Sequence, residues 1–337
     1  MCRRVSRPVG RAAYRSFCRT ALESRPHIKH CKRDMKKILI QLDSDQFPST
    51  FDCIVAYDAG ADAVQSFGGV TPADVRGLVL SAFFTRGIPD LNNLAVWIGG
   101  SDINAGEQLL AEARRTFFGP FKISLMLDSN GCNTTASTAI AKLARQTDLR
   151  GKRALVIGPG PVGLRAGRLL AGEGCHVQIT SIPADLLGAR FNSELSQRTL
   201  NSTRKEAREF NDRARGAEGK IRVEDLQNAS GFDWLLGESE IVVAAGPAGL
   251  RILPQNSWLK RSSVKWLLDF NLTEPLGIEG IKPGDDFADY EGKRILGALA
   301  IGNPKMKVHR ACIAKLFERN DLVLDIEGVY SVAKYFV

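Results

Sequence analysis

The chain has 337 residues, 44% of them apolar and 25% charged, enough for two α/β domains with a core each. Its formal charge of +9 points first to nucleic acid or a membrane surface, but the charge is unevenly placed. Residues 1–37 hold twelve Lys or Arg against only Glu23 and Asp34, leaving 34 basic and 35 acidic residues in the near-neutral remainder. Neither a nucleic-acid nor a membrane partner is therefore expected.

The leading segment is Arg-rich and lacks a long apolar run, which excludes a secretory signal and a membrane span. Met35 opens a strand pattern at once, so residues 1–34 are read as a disordered tail or an upstream extension of the gene, outside the fold. Seven cysteines (Cys2, Cys18, Cys31, Cys53, Cys132, Cys175, Cys312) are scattered without a CxxC pair. No metal site is expected of them, and a reducing cytoplasm is.

In chain order, KILIQL (Lys37 to Leu42) is short, apolar and β-branched and reads as a buried strand. Ser49 caps a helical pattern behind it. Helices are predicted over about Thr71 to Ala82 and Ile103 to Phe117, with strands at Leu94 to Ile98 and Phe121 to Leu127. Such alternation predicts a mainly parallel sheet covered on both faces. The last of these strands runs into DSNGCNTTAST, where open α/β sheets place ligands. Asp128, Asn130 and Thr134 are candidate site residues for that reason, with turn and capping chemistry as their structural alternative.

The polar, Gly-bearing TDLRGKR (Thr147 to Arg153) sets a domain boundary, giving units 35–148 and 149–304. A second alternation follows: the strand RALVI, a helix over Val162 to Gly172, the strand HVQIT and a long polar helix from about Asp185 to Arg213. IVVAAG (Ile241 to Gly246) and VKWLLDFN (Val264 to Asn271) are further strands. Helices over Lys305 to Arg319 and Asp325 to Ala333 are expected to return, within about 305–337, to the first domain.

Gly158-Pro159-Gly160-Pro161-Val162-Gly163 follows a strand directly and opens a helix, the context a dinucleotide GxGxxG requires. Gly158 permits the tight turn, Gly160 the approach of backbone to pyrophosphate, and Gly163 close contact of helix and strand. The helix N-terminus adds N–H donors and partial positive charge, and Pro161 suits its first turn. Val162 beside them, Thr180 and Ser181 after the second strand, Ala245 and Gly246 after a later one, and Asn271 complete the predicted cofactor set. The fold class is thus α/β, an N-terminal α/β domain and a Rossmann-type NAD(P)-binding domain with a parallel sheet, facing across a cleft. No carboxylate occupies the expected place after the second strand, where Ser181-Ile182-Pro183 stands and Asp185 comes late, so the cofactor reading is NADP with NAD possible; the next basic residue is Arg190.

Several longer strings resemble a known family: FDCIVAYDAGAD (Phe51 to Asp62), FFGPFKISLMLDSNGCNTTA (Phe117 to Ala136), GPGPVG, LAGEG (Leu170 to Gly174), PLGIEGI (Pro275 to Ile281) and GALAIGNPKMKVHRACIAKLFE (Gly297 to Glu318). From about Met35 onward the chain resembles the bacterial methylene-tetrahydromethanopterin dehydrogenases of one-carbon metabolism. The resemblance implies oxidation of a methylene bridge on a reduced pterin carrier to the methenyl form, hydride passing to the nicotinamide, in a homo-oligomer. It departs after the second Rossmann strand, where the family's Gly-Arg-type segment is replaced by Ser181-Ile182-Pro183.

Hydride leaving a carbon between two nitrogens yields a delocalised cation, so no general base is obligatory and positioning is the main task. The resemblance assigns Lys305 of PKMKVH to the pterin site, bonding a ring carbonyl, with His309 one helical turn away. Asp128 and Asn130 are expected at the amino-pyrimidine edge, and Asp43, Asp58 and Thr134 are further substrate-site candidates. Methylene-tetrahydrofolate is the alternative carrier, and a non-enzymatic dinucleotide-sensing module the alternative class.

Overall fold

The computed structural model describes residues 35–337 apart from 191, 215, 217, 227 and 229; the expected basic extension, 1–34, lies outside the described residues. Residues 36–337 form one compact unit containing two sheets.

The first sheet uses β1 (Ile38–Asp43), β2 (Ala63–Phe67), β3 (Leu94–Gly99) and β4 (Ser124–Leu127). Its helices are α1 (Thr50–Asp58), α2 (Pro72–Phe83), α3 (Ile103–Arg115) and α4 (Cys132–Gln146). The second sheet begins with β5 (Arg153–Ile157), α5 (Pro161–Gly172) and β6 (His176–Thr180). It continues through α6 (Ser193–Arg213), β7 (Ile221–Glu224), α7 (Gly231–Glu238), β8 (Ile241–Ala244), β9 (Trp266–Asp269), β10 (Asp286–Tyr290) and β11 (Lys293–Leu296). The chain closes with α8 (Ala298–Lys315), β12 (Val323–Leu324) and α9 (Ile326–Phe336).

Strand order is β12-β4-β3-β1-β2 in one sheet and β10-β11-β9-β8-β5-β6-β7 in the other. All pairings are parallel except β10 with β11, which is antiparallel. Each sheet therefore has a switch point, between β1 and β3 and between β5 and β8, where successive crossovers diverge and a crevice opens at the carboxyl ends. Register places Asp43 opposite Gly99 at the first and Ile157 opposite Ala244 at the second.

Ser49 caps its helix as expected, and Asp102 and Asp325 cap two more. Ser49 Oγ accepts from the Asp52 N–H at 3.2 Å, Asp102 from Ala105 at 3.1 Å, and Asp325 from Gly328 at 3.1 Å, each satisfying a donor the helix leaves open. Leu39 and Trp97 of the first sheet share one hydrophobic cluster with Val156 and Ile179 of the second, and α4 packs against α5, α8 and α9. That shared helical layer holds the two crevices in fixed relation.

Three boundaries differ from expectation. The strand predicted from Phe121 begins at Ser124, because Phe121 instead bridges back to Phe118 across a tight turn. The helix expected from Asp185 is interrupted: Ala184–Leu187 is a separate short helix and Gly188–Arg190 a 3₁₀ turn before α6. Finally α8 starts at Ala298 rather than Lys305 and contains Pro304. Proline cannot donate to the carbonyl four residues back, and the released Ala300 carbonyl accepts from Lys142 Nζ at 3.2 Å. The helix is thus continuous through the proline, and Lys305 lies inside it instead of at its start.

Candidate functional site

A cavity of about 310 Å³ opens at the first switch point, lined by Asp43, Asp45, Ser49, Phe51, Asp52, Gly100, Asn130, Gly131, Lys305 and His309 among others. Asp43 organises its rim, accepting from the N–H groups of Asp45 at 2.9 Å and Ser49 at 3.0 Å. Asp45 fastens the loop after β3, accepting from Ser101 N at 3.0 Å and Ser101 Oγ at 2.8 Å.

Lys305 reaches the turn between β4 and α4. Asn130 and Gly131 are both left-handed, at φ of 52° and 61°, and a Cβ on Gly131 would stand 2.7 Å from Lys305 Nζ. The left-handed dihedral favours glycine there, and a side chain would in addition displace the ammonium. His309 is buried, its ring stacked on Trp97 at 4.6 Å between centroids and 11° between planes. Neither of its nitrogens, nor Trp97 Nε1, has a hydrogen-bond partner among the described residues. Burial first, then the charges of Lys305 and Arg310, hold the imidazole down to about 3, so it is neutral.

Asp128 and Thr134 stand beneath this floor. The Asp128 carboxylate is buried and accepts from Thr134 N at 2.9 Å and Thr134 Oγ1 at 2.6 Å, tying the strand end to the first turn of α4. Neither residue lines the cavity, so their observed contacts are those of the capping alternative. Asp58 is on the exposed side of α1 and faces Arg310 at 3.9 Å, away from the cavity.

Of the three acids on the cavity wall, Asp43 was expected from the sequence, while Asp45 and Asp52 were not. Asp52 lies in the first turn of α1, where an acidic residue after a serine cap reads as capping alone. Its carboxyl is pushed up to about 6, by burial first and by neighbouring Asp128 and Asp43, against the opposing effects of Ser49 and Lys305.

A second cavity, about 430 Å³, occupies the other switch point, lined by Gly158 to Val162, Ile182, Arg190, Asn192, Ser196, Thr199 and Ala245 to Pro247 among others. Gly158 is at φ 114° and a Cβ there would lie 2.4 Å from the Ala245 carbonyl oxygen. A Cβ on Gly163 would lie 2.1 Å from the Gly158 carbonyl, whereas one on Gly160 would meet nothing within 4 Å. Two glycines thus permit the close turn and the third borders open space before the first turn of α5, whose N–H groups have no intrahelical acceptors. A pyrophosphate fits this arrangement.

Four predicted cofactor residues fall outside the lining, Gly163 packed against the Gly158 carbonyl and three more. Thr180 is fully buried. Ser181 Oγ donates to Asp225 at 2.8 Å and accepts from Leu226 N at 2.7 Å. Asn271 accepts from Thr273 N at 2.9 Å and donates to the Pro275 carbonyl at 3.2 Å, ordering the turn before Pro275. In that turn Asp269 accepts from Ile278 N at 2.9 Å and a Cβ on Gly277 would lie 2.8 Å from its carboxylate, which explains the small residue in PLGIEGI.

Asn130 lines both cavities and a third, of about 350 Å³, between α3, α5 and α6. Cys132 beside it is buried and its thiol is pushed up to about 12, chiefly by desolvation, so it stays protonated and is no nucleophile. Among the described residues no group of three or more His, Cys, Asp or Glu could hold a metal, and no helix is long and apolar enough to cross a membrane.

Residues 50–130 match the model of the N-terminal region of methylene-tetrahydromethanopterin dehydrogenases. Over 302 residues, 89% of this chain and 98% of the relative, the sequence is 40% identical to bifunctional protein MdtA of Methylorubrum extorquens. The NAD(P)-dependent methylenetetrahydromethanopterin dehydrogenase of the same organism is 26% identical over 308 residues, 88% of this chain and 98% of that protein. Among solved structures, shikimate 5-dehydrogenase from Listeria monocytogenes in complex with shikimate and NAD aligns over 88% of this chain and 96% of its own, with 12% identity and a TM-score of 0.49. The chain belongs to the methylene-tetrahydromethanopterin dehydrogenase family.

Proposed function

We propose that this chain oxidises methylene-tetrahydromethanopterin to the methenyl form by hydride transfer to NADP or NAD, with the pterin in the Lys305 cavity. The observation that carries this is the position of Asn130, on the wall of both the acidic cavity and the dinucleotide cavity. Two ligands seated at the two switch points meet there. Residues 35–148 with the C-terminal helices are the carrier-binding half and 149–304 the dinucleotide half.

A nicotinamide dinucleotide bound along Gly158 to Gly163 supplies the hydride acceptor. Lys305 bonds the pterin carbonyl, and Asp52, in place of the buried Asp128, accepts from the amino-pyrimidine edge. Asp43, Asp45 and Asp52 make the wall acidic, which favours the positive charge left when hydride departs. Phe51 and the Trp97–His309 stack give an apolar side that limits water near the reacting carbon. No residue need take a proton, so the chain's contribution is placement. The oligomer and the reducing cytoplasm expected from the sequence belong to the same proposal.

The test is Lys305→Ala in the full chain. kcat/KM for the carrier falls by about 10²-fold while dinucleotide affinity, measured directly, holds. Unchanged kinetics would remove Lys305 from the site.

A further inference from the structure

Dinucleotide folds that prefer NAD place a carboxylate after the second strand, where it bonds the ribose hydroxyls, and those that prefer NADP place a base near the 2′-phosphate. By position alone this chain offers neither, since β6 ends in Thr180 and Ser181-Ile182-Pro183 follows. Folding changes that count. The cavity's described lining residues include no carboxylate and one charged group, the guanidinium of Arg190. Asp225, just past β7 in the strand beside β6, is occupied elsewhere, accepting from Ser181 Oγ at 2.8 Å and Gln197 Nε2 at 3.2 Å.

Arg190 comes from the 3₁₀ turn Gly188–Arg190, ten residues beyond the end of β6, too late to be found by counting from the strand. Its Nη1 donates to the Ala248 carbonyl at 2.9 Å, on the loop that follows β8. The guanidinium is thereby held between the loops after β6 and β8, the two that flank the cavity. A guanidinium has five N–H donors, so this anchor leaves others for a phosphate, whose oxygens match its fork. Asn192, Ser196 and Thr199 at the start of α6 add neutral polar groups to the same wall.

We infer that Arg190 is the specificity residue by which this chain prefers a dinucleotide bearing a 2′-phosphate, NADP, over NAD. The inference rests on the dinucleotide site described above and is independent of which carbon carrier is oxidised.

The experiment titrates the full chain with 2′,5′-ADP and with ADP by calorimetry, without any carrier, for the native protein, Arg190→Ala and Arg190→Gln. The native chain binds 2′,5′-ADP more tightly than ADP. Each variant loses roughly 10- to 100-fold in affinity for 2′,5′-ADP, as expected for charge-assisted bonds to phosphate, and stays within about twofold for ADP. In turnover, the NADP-to-NAD ratio of kcat/KM falls by the same factor. Equal affinity of the native chain for the two probes, an unchanged 2′,5′-ADP affinity in both variants, or a parallel loss of both probes in Arg190→Gln would overturn the inference. Because no carrier is present, failure of the pterin reading leaves this result readable on its own.

Discussion

The Arg165 guanidinium, on the helix that carries the glycine turn, donates through Nε to the side-chain oxygen of Asn133, on the helix that closes the acidic cavity. Asn133 in turn donates to the Leu127 carbonyl at 2.6 Å, and Arg165 Nη2 reaches Glu107 at 2.8 Å. One buried cation therefore ties the end of β4, helix α3 and the cofactor turn together, with Asn130 three residues away. Arg165→Met leaves the Asn133 oxygen and the Glu107 carboxylate without their donor. We expect a loss of about 1–3 kcal/mol of stability in urea titration and a lower kcat/KM at saturating dinucleotide. Native values for both would show that the tie does not set the spacing.

How far this arrangement was legible beforehand varies with the physics of each segment. KILIQL, LAVWI and RALVI announce themselves because central parallel strands are apolar on both faces. Strands β2, β7, β10 and β12 do not, being short and partly exposed edge or near-edge elements whose pairing supplies what their composition lacks. The glycine turn was readable because its steric demands are local. Asp52 was not, since it resembles an ordinary first-turn acid, and Arg190 was legible only as the next base in the chain, because it reaches its cavity through the path between β6 and α6. Asp128, named from its place at a strand end, has its hydrogen-bond partners inside the fold, which a strand-end position does not reveal.

Gly131 makes the placement of Lys305 testable without touching the lysine. Gly131→Ala puts a methyl group 2.7 Å from Lys305 Nζ at a φ of 61°. The left-handed backbone costs about 1–2 kcal/mol, and displacement of the ammonium lowers kcat/KM for the carrier. Thermal unfolding together with steady-state kinetics separates the two effects. A variant that is destabilised yet fully active would show that Lys305 does not act from this position.

Asp52 supplies a pH signature. Its carboxyl is pushed up to about 6, chiefly by burial, so it accepts hydrogen bonds fully only above that value. kcat/KM, which reports the free enzyme, should fall as pH drops through about 6 in the native chain. In Asp52→Asn the value is low throughout and the step is absent. A step of unchanged position in the variant would assign it to another group.

His309 gives the stability counterpart. Its ordinary value of 6.5 is brought down to about 3, by burial first and then by Lys305 and Arg310. Below 6.5 the unfolded chain takes a proton that the folded chain refuses, so this group's contribution is whole above 6.5 and is lost as pH falls toward 3. The slope approaches about 1.4 kcal/mol per pH unit. The native and His309→Gln chains should differ by that slope in denaturation curves measured between those limits, and an identical pH dependence in both would mean the imidazole is charged in the folded state.

The most direct measurement is turnover by the full chain of methylene-tetrahydromethanopterin and methylene-tetrahydrofolate, each with NADP and with NAD, followed by the absorbance of reduced nicotinamide. A far higher kcat/KM is expected for the methanopterin carrier, and for NADP over NAD with that carrier. Preference for the folate carrier, or no turnover of either, would contradict the assignment of the Lys305 cavity.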